Sequence, residues 1–275
     1  MTTAPLKRLI VCADDFALNA AASQGIAALA HAGRISATSA MVLSPRWAQD
    51  AALLQELRGR IDVGLHLDWT SAFARSAGHG VSLTGAMCQA VLGGFNRAAA
   101  RAVIERQLDA FEAVWQGPPD HIDGHQHVQQ FAGIRDALVA AVQQRYAIKN
   151  RAYFRLSISA ITDKSFKTQV ISKLGAGALA ELAGAAGIAC APALSGIYDF
   201  TGGAQRYAAL MARWLQDTPA GGIIMCHPAV RAEALDAIGA ARTWEHDYLA
   251  SDAFSQALAR AGVVLSRGAP IFSKA

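Results

Sequence analysis

Residues 8–15, Arg-Leu-Ile-Val-Cys-Ala-Asp-Asp, are apolar from Leu9 to Ala13 and then abruptly acidic. Such a run reads as a buried strand whose carboxyl end carries two carboxylates. Leu18–Ala32 follows as an alanine-rich amphipathic helix, with Gly33 as its stop. The same pairing of a short strand-like run with a longer helical one recurs to the end of the chain. Strands are expected at Ser36–Leu43, Asp62–Trp69, His121–Asp123, Tyr153–Leu156, Ile188–Ala193, Gly222–Cys226 and Val263–Ser266. Helices are expected at Trp47–Leu57, Arg97–Trp115, Ile134–Gln144, 165–186, Gln205–Leu215 and Asp252–Ala261, while 71–95, rich in Gly and Ser, reads as a long loop. Seven or eight βα units without a Pro/Ser-rich linker imply an α/β fold with a parallel sheet and right-handed crossovers. A single domain over residues 1–275, folded as a distorted (β/α) barrel, fits this length. A dinucleotide fold would place a glycine fingerprint after the first strand. Here that position holds Asp14-Asp15-Phe16-Ala17.

Composition narrows the function. Hydrophobic residues make up 53% and charged residues 17%, so a large core is available and disorder is not expected. No run of 18 apolar residues appears, so no membrane span is expected. The first eight residues lack the apolar stretch of a signal peptide, which makes the cytoplasm the default location. The net charge is +4, yet the 25 Lys and Arg residues form no block, so a nucleic-acid partner is not expected. Four cysteines stand far apart with no CxxC; Cys12, Cys190 and Cys226 lie in apolar runs and read as buried free thiols. A homodimer is one option for assembly.

Four features at predicted strand ends carry chemistry. Asp14 and Asp15 are adjacent carboxylates that repel unless a cation or a proton relieves them. One can ligate a metal while the other serves as general base; the competing role for Asp15 is a helix N-cap. His66 ends the strand Asp62–Trp69. His121-Ile122-Asp123-Gly124-His125-Gln126-His127 gathers three of the eight histidines, and neutral imidazole is the commonest protein metal ligand. Asp123 is placed to orient one of those rings, and His125 and His127 share one side if the segment is extended. His227 stands where the apolar run Gly222–Cys226 stops. One Asp and two His would make an open three-ligand site with room for water and a substrate carbonyl. In that scheme Asp14 takes the water's proton, His227 in its charged form gives one to the leaving group, and Arg155 orients Asp14. Ligand type suits Zn2+ as well as Mg2+.

The strings ADDF (13–16), GLHL (64–67), HIDGHQHV (121–128) and CHPA (226–229) resemble the YdjC-like carbohydrate deacetylases, a family that includes diacetylchitobiose deacetylases and a hopanoid-associated branch. The order and spacing match across nearly the whole chain. The resemblance implies a distorted (β/α) barrel, a magnesium-type ion on Asp15, His66 and His125, and removal of N-acetyl groups from an acetylated amino sugar or oligosaccharide. It singles out His125 among the three clustered histidines, and leaves His127 and Asp123 as candidate substrate contacts. The chain departs from the family pattern at Ala17, where glycine is usual, at Gln126 and Gln129, where histidines are usual, and at Arg155-Leu156-Ser157. Two other functions share the site's chemistry: a metal hydrolase for phosphoester or cyclic amide bonds, and a non-catalytic sugar-binding relative.

Overall fold

The structure, a computed structural model, describes residues 6–160 and 173–272, so part of the helical stretch expected at 165–186 lies outside the described residues. Among the described residues there are eight strands: β1 (Lys7–Phe16), β2 (Ala37–Ala40), β3 (Asp62–Leu67), β4 (His121–Gly124), β5 (Tyr153–Phe154), β6 (Leu194–Ser195), β7 (Ile223–Cys226) and β8 (Val263–Leu265). Seven of them lie side by side in the order β5-β4-β3-β2-β1-β7-β6, and β8 pairs with the first residues of β1. Every pairing is parallel. Among the described residues, the two outer strands are joined by the single bridges Phe154↔Cys190 and Ser159↔Leu194. The curved sheet therefore meets itself at a thin seam, and the result is the distorted (β/α) barrel expected from the alternation.

Side-chain alternation divides β1 between two cores. Ile10 and Cys12 pack with Tyr153, Leu194, Ile223 and Met225 inside the curve. Leu9, Val11 and Ala13 join the larger core between sheet and helices, where they meet Ile26 and Leu29 of the helix Ala20–His31. Full burial of both faces is why the run reads as continuously apolar rather than alternating. Asp14 continues the inward set of β1, to which Gly64 and His66 on β3 and His121 and Asp123 on β4 correspond. The carboxyl ends of the strands thus deliver polar groups to one end of the barrel.

Two expectations are corrected, and one helix is added to them. The stretch 71–95 is not a loop throughout: it holds the helices Ala72–Ser76 and Leu83–Val91, started by the side chains of Ser71 and Ser82. These helices bury few residues, so they leave no apolar period to read. The strand expected at Ile188–Ala193 contributes only a bridge at Cys190, and β6 follows it at Leu194–Ser195. A helix that the sequence did not announce, Gly239–Ala250, packs against the site. Cys12 and Cys226 are buried free thiols and Cys190 is half-buried and free. Among the described residues no helix is long and apolar enough to cross a membrane.

Candidate active site

Two neighbouring strand residues ordinarily point to opposite faces, yet Asp14 and Asp15 both reach one cavity of about 800 Å³. The cause is local. Asp15 and Ala17 take left-handed backbone conformations, with φ of 68° and 70°, and the register of β1 against β2 shifts between Ala13 and Phe16. This twist turns Asp15 back toward the side that Asp14 already faces. Asp15 is not the helix cap: Asn19 takes that role, its Oδ1 accepting from the Ala22 N–H at 2.9 Å.

Asp15, His66 and His125 converge. Asp15 Oδ1 lies 3.4 Å from His66 Nε2 and 3.1 Å from His125 Nδ1, and the three ligand atoms are all within 4.8 Å of one another. Ligands about 2.0–2.2 Å from one ion stand roughly 3.0–3.5 Å apart, so the donor set fits a divalent cation. Asp123, wholly buried, fixes His66: its Oδ1 lies 2.6 Å from His66 Nδ1, which leaves Nε2 for the cavity. Ser39 donates to the other oxygen of Asp123 at 2.6 Å. Asp123, expected either to orient an imidazole or to touch the substrate, is seen bonded to an imidazole and is not among the residues that line the cavity. Burial alone would raise the Asp15 carboxyl and lower the His66 imidazole. Arg242 and the two histidines overcome this and hold Asp15 well below the usual carboxylate range, while Asp123 carries His66 up to about 10.

Beside the triad, Arg155 grips Asp14 with both arms, Nη1 to Oδ1 at 2.5 Å and Nη2 to Oδ2 at 2.8 Å, and its Nη1 is 3.1 Å from Asp123. Arg155 and Asp14, paired in the sequence expectation, are thus brought into contact. His227 Nε2 stands 3.9 Å from Asp14 Oδ2. Burial pushes His227 down to about 4, so it is neutral near pH 7 in the protein alone, not charged as expected. The loop after β4 also differs from expectation. It is not extended but a 3-10 turn, His125–Gln130, with Gln126 and His127 at φ of 54° and 64°. The turn parts the two histidines: His125 goes to Asp15, while His127 Nδ1 lies 2.9 Å from Ser157 Oγ, still on the cavity wall.

Two charged residues of the helix Gly239–Ala250 escaped the sequence reading. Arg242 Nη2 donates to Asp15 Oδ2 at 2.7 Å, and Arg242 Nε to Asp236 at 2.5 Å. Glu245, fully buried, accepts from the His227 backbone N–H at 2.5 Å and from the Tyr198 hydroxyl at 2.6 Å. Burial pushes Glu245 up to about 7. Away from the charged floor the cavity wall is apolar and includes Leu83, Met87, Phe131, Leu174, Phe200 and Leu235.

The geometry can be set beside known proteins. A family model described as "YdjC-like protein" matches residues 8–260. The chain belongs to the YdjC-like family. This YdjC-like chain is 33% identical over 147 residues to the chitooligosaccharide deacetylase of Yersinia pestis (strain Pestoides F), a match covering 50% of it and 57% of that protein. It is 31% identical over 133 residues to the chitooligosaccharide deacetylase of Enterobacter sp. (strain 638), covering 46% and 52%. The chain spans about half the length of the curated relatives it matches. Among solved structures, a protein of Enterococcus faecalis provisionally assigned to cellobiose-phosphate cleavage superposes with a TM-score of 0.71 at 19% identity, over 97% of this chain and 99% of that one. The Xyl-CE4 domain of a multidomain xylanase from the hindgut metagenome of Trinervitermes trinervoides gives 0.51 at 10% identity, over 97% and 90%. At these identities the likeness is one of fold.

Proposed function

We propose that this YdjC-like chain is a metal-dependent carbohydrate deacetylase that hydrolyses the N-acetyl group of an amino sugar or oligosaccharide. The observation that carries the proposal is the convergence of Asp15, His66 and His125 beside the Arg155-held carboxylate of Asp14. The name shared by the matching stretches of curated relatives points the same way. Asp15, His66 and His125 would hold the ion, Mg2+ or Zn2+, which when bound polarises the acyl oxygen and makes water more acidic. Asp14, fixed by Arg155, accepts the proton of the attacking water. His227, neutral at the outset and 3.9 Å from Asp14, takes up that proton as the substrate binds and passes it to the leaving nitrogen. His127 faces the same space and contacts the substrate.

The test is acetate release from N-acetylated chitooligosaccharides and from acetylated amino sugars with an apolar aglycone, which the apolar upper wall would admit. Metal-stripped protein is assayed alone and with Mg2+ or Zn2+. Turnover that needs added metal and is lost in Asp14→Asn supports the proposal. A metal-loaded chain inactive on the whole panel would overturn it. One ion per chain by elemental analysis is the expected stoichiometry, against two or three for a phosphoester hydrolase.

A further inference from the structure

We propose that Arg242 is the positioning residue of the metal site: by holding Asp15 Oδ2 it keeps Oδ1 turned toward His66 and His125, and so sets how tightly a divalent cation is held. This inference rests on the metal reading of that triad.

Asp15 has two oxygens, and only one of them belongs to the triad. Oδ1 is the atom that approaches both histidines, whereas Oδ2 meets Arg242 Nη2 at 2.7 Å. A carboxylate free to turn about its last bond would offer either oxygen, or both. Arg242 removes that freedom because it is itself fixed at several points. Its Nε donates to Asp236 Oδ2 at 2.5 Å, its Nη1 faces the His227 carbonyl at 3.4 Å, and its own carbonyl accepts from the Ala229 N–H at 3.1 Å. The side chain is 4% exposed. A planar guanidinium held in this way fixes the plane of the carboxylate it binds. His66 receives the same treatment from Asp123, so two ligands on different strands each have a buried, hydrogen-bonded partner. Partners of this kind are worth about 10–100-fold in metal affinity.

Charge alone predicts the opposite sign. A guanidinium beside a cation site repels the cation, so deleting Arg242 should tighten metal binding if its only effect is electrostatic. A positioning role predicts weaker binding. The experiment is a Co2+ titration of metal-stripped protein, read by visible absorption, for the wild type, Arg242→Met and Arg242→Lys. The expected result is a Kd raised about 10-fold or more in Arg242→Met, with a changed Co2+ spectrum as the carboxylate turns. Arg242→Lys, which keeps the charge but not the fork, is expected to bind Co2+ more weakly than the wild type as well. It carries the test if Arg242→Met does not fold. Unchanged or tighter Co2+ binding in a folded variant overturns the positioning role while leaving the metal site standing. A wild-type chain that binds no Co2+ overturns both.

Discussion

Asp14 and Ala17 are the residues at which β1 turns from scaffold into site. Asp14 is fixed on both oxygens by Arg155, and Asp14→Asn keeps the size of the side chain while removing its basicity. The expected outcome is a turnover number lower by about 10²–10⁴-fold with metal content unchanged, read by acetate release and elemental analysis on the same sample. Ala17 sits at φ 70° with its methyl group fully buried. That conformation strains an alanine by about 1 kcal/mol and suits glycine, the residue usual at this place in the family motif. Ala17→Gly is expected to be close to neutral in thermal stability, because the strain relieved offsets a buried methyl and a freer unfolded chain of similar size. A branched residue has no such compensation, and Ala17→Val should lose about 2 kcal/mol or more in a denaturation series.

At the scale of the element, Gly64 shows why β3 can carry His66. A Cβ at Gly64 would stand 2.4 Å from the His121 ring, so the inward face of β3 at that level is ceded to its neighbour on β4. Gly64→Ala is expected to destabilise by about 1–3 kcal/mol through overpacking, and to weaken metal binding as His121 and Asp123 shift; urea denaturation and a metal titration read the two effects. The end of β1 is legible in the sequence because burial on both faces keeps the run apolar until Asp14, and Arg155 follows Tyr153 and Phe154 in the same way. His66 stands out instead from the alternation of Asp62–Trp69. The loop after β4 was harder, since the left-handed turn at Gln126 and His127 uses residues that carry no turn signal. The helix Gly239–Ala250 was not legible at all. Its buried face is Ala241, Arg242, Glu245 and Leu249, and two charges on the inner side erase the apolar stripe by which a helix is recognised. The charges that hide the helix are the ones that hold Asp15 and His227.

Taken as a whole, the barrel carries a second pair of carboxyls, Asp62 and Asp120, at the starts of β3 and β4, the opposite end from the cavity. Asp120, just before β4, accepts from the Val63 N–H at 2.8 Å. Burial, and then the Asp62 charge, push Asp120 from 3.8 up to about 6. A carboxyl whose folded pKa lies above its unfolded value makes the folded state bind its proton more tightly, so stability falls as pH rises from about 4 to about 6. Asp120→Asn keeps an acceptor for Val63 and has no charge to bury. It is expected to flatten that slope and to be more stable than the wild type at pH 7.5 by about 1–3 kcal/mol, with little difference near pH 4, as measured by chemical denaturation at both values. The seam of the barrel has a different consequence. Continuous ladders join the other strands, but β5 and β6 are tied through three backbone bonds: Phe154 N–H to Ala189, Ala191 N–H to Phe154 and Leu194 N–H to Ile158. So few bonds hold this seam that their amide protons should exchange with deuterium ahead of those of β1, β2 and β7. The barrel would breathe there first, along a line on the far side of the ring from β1 and its two carboxylates.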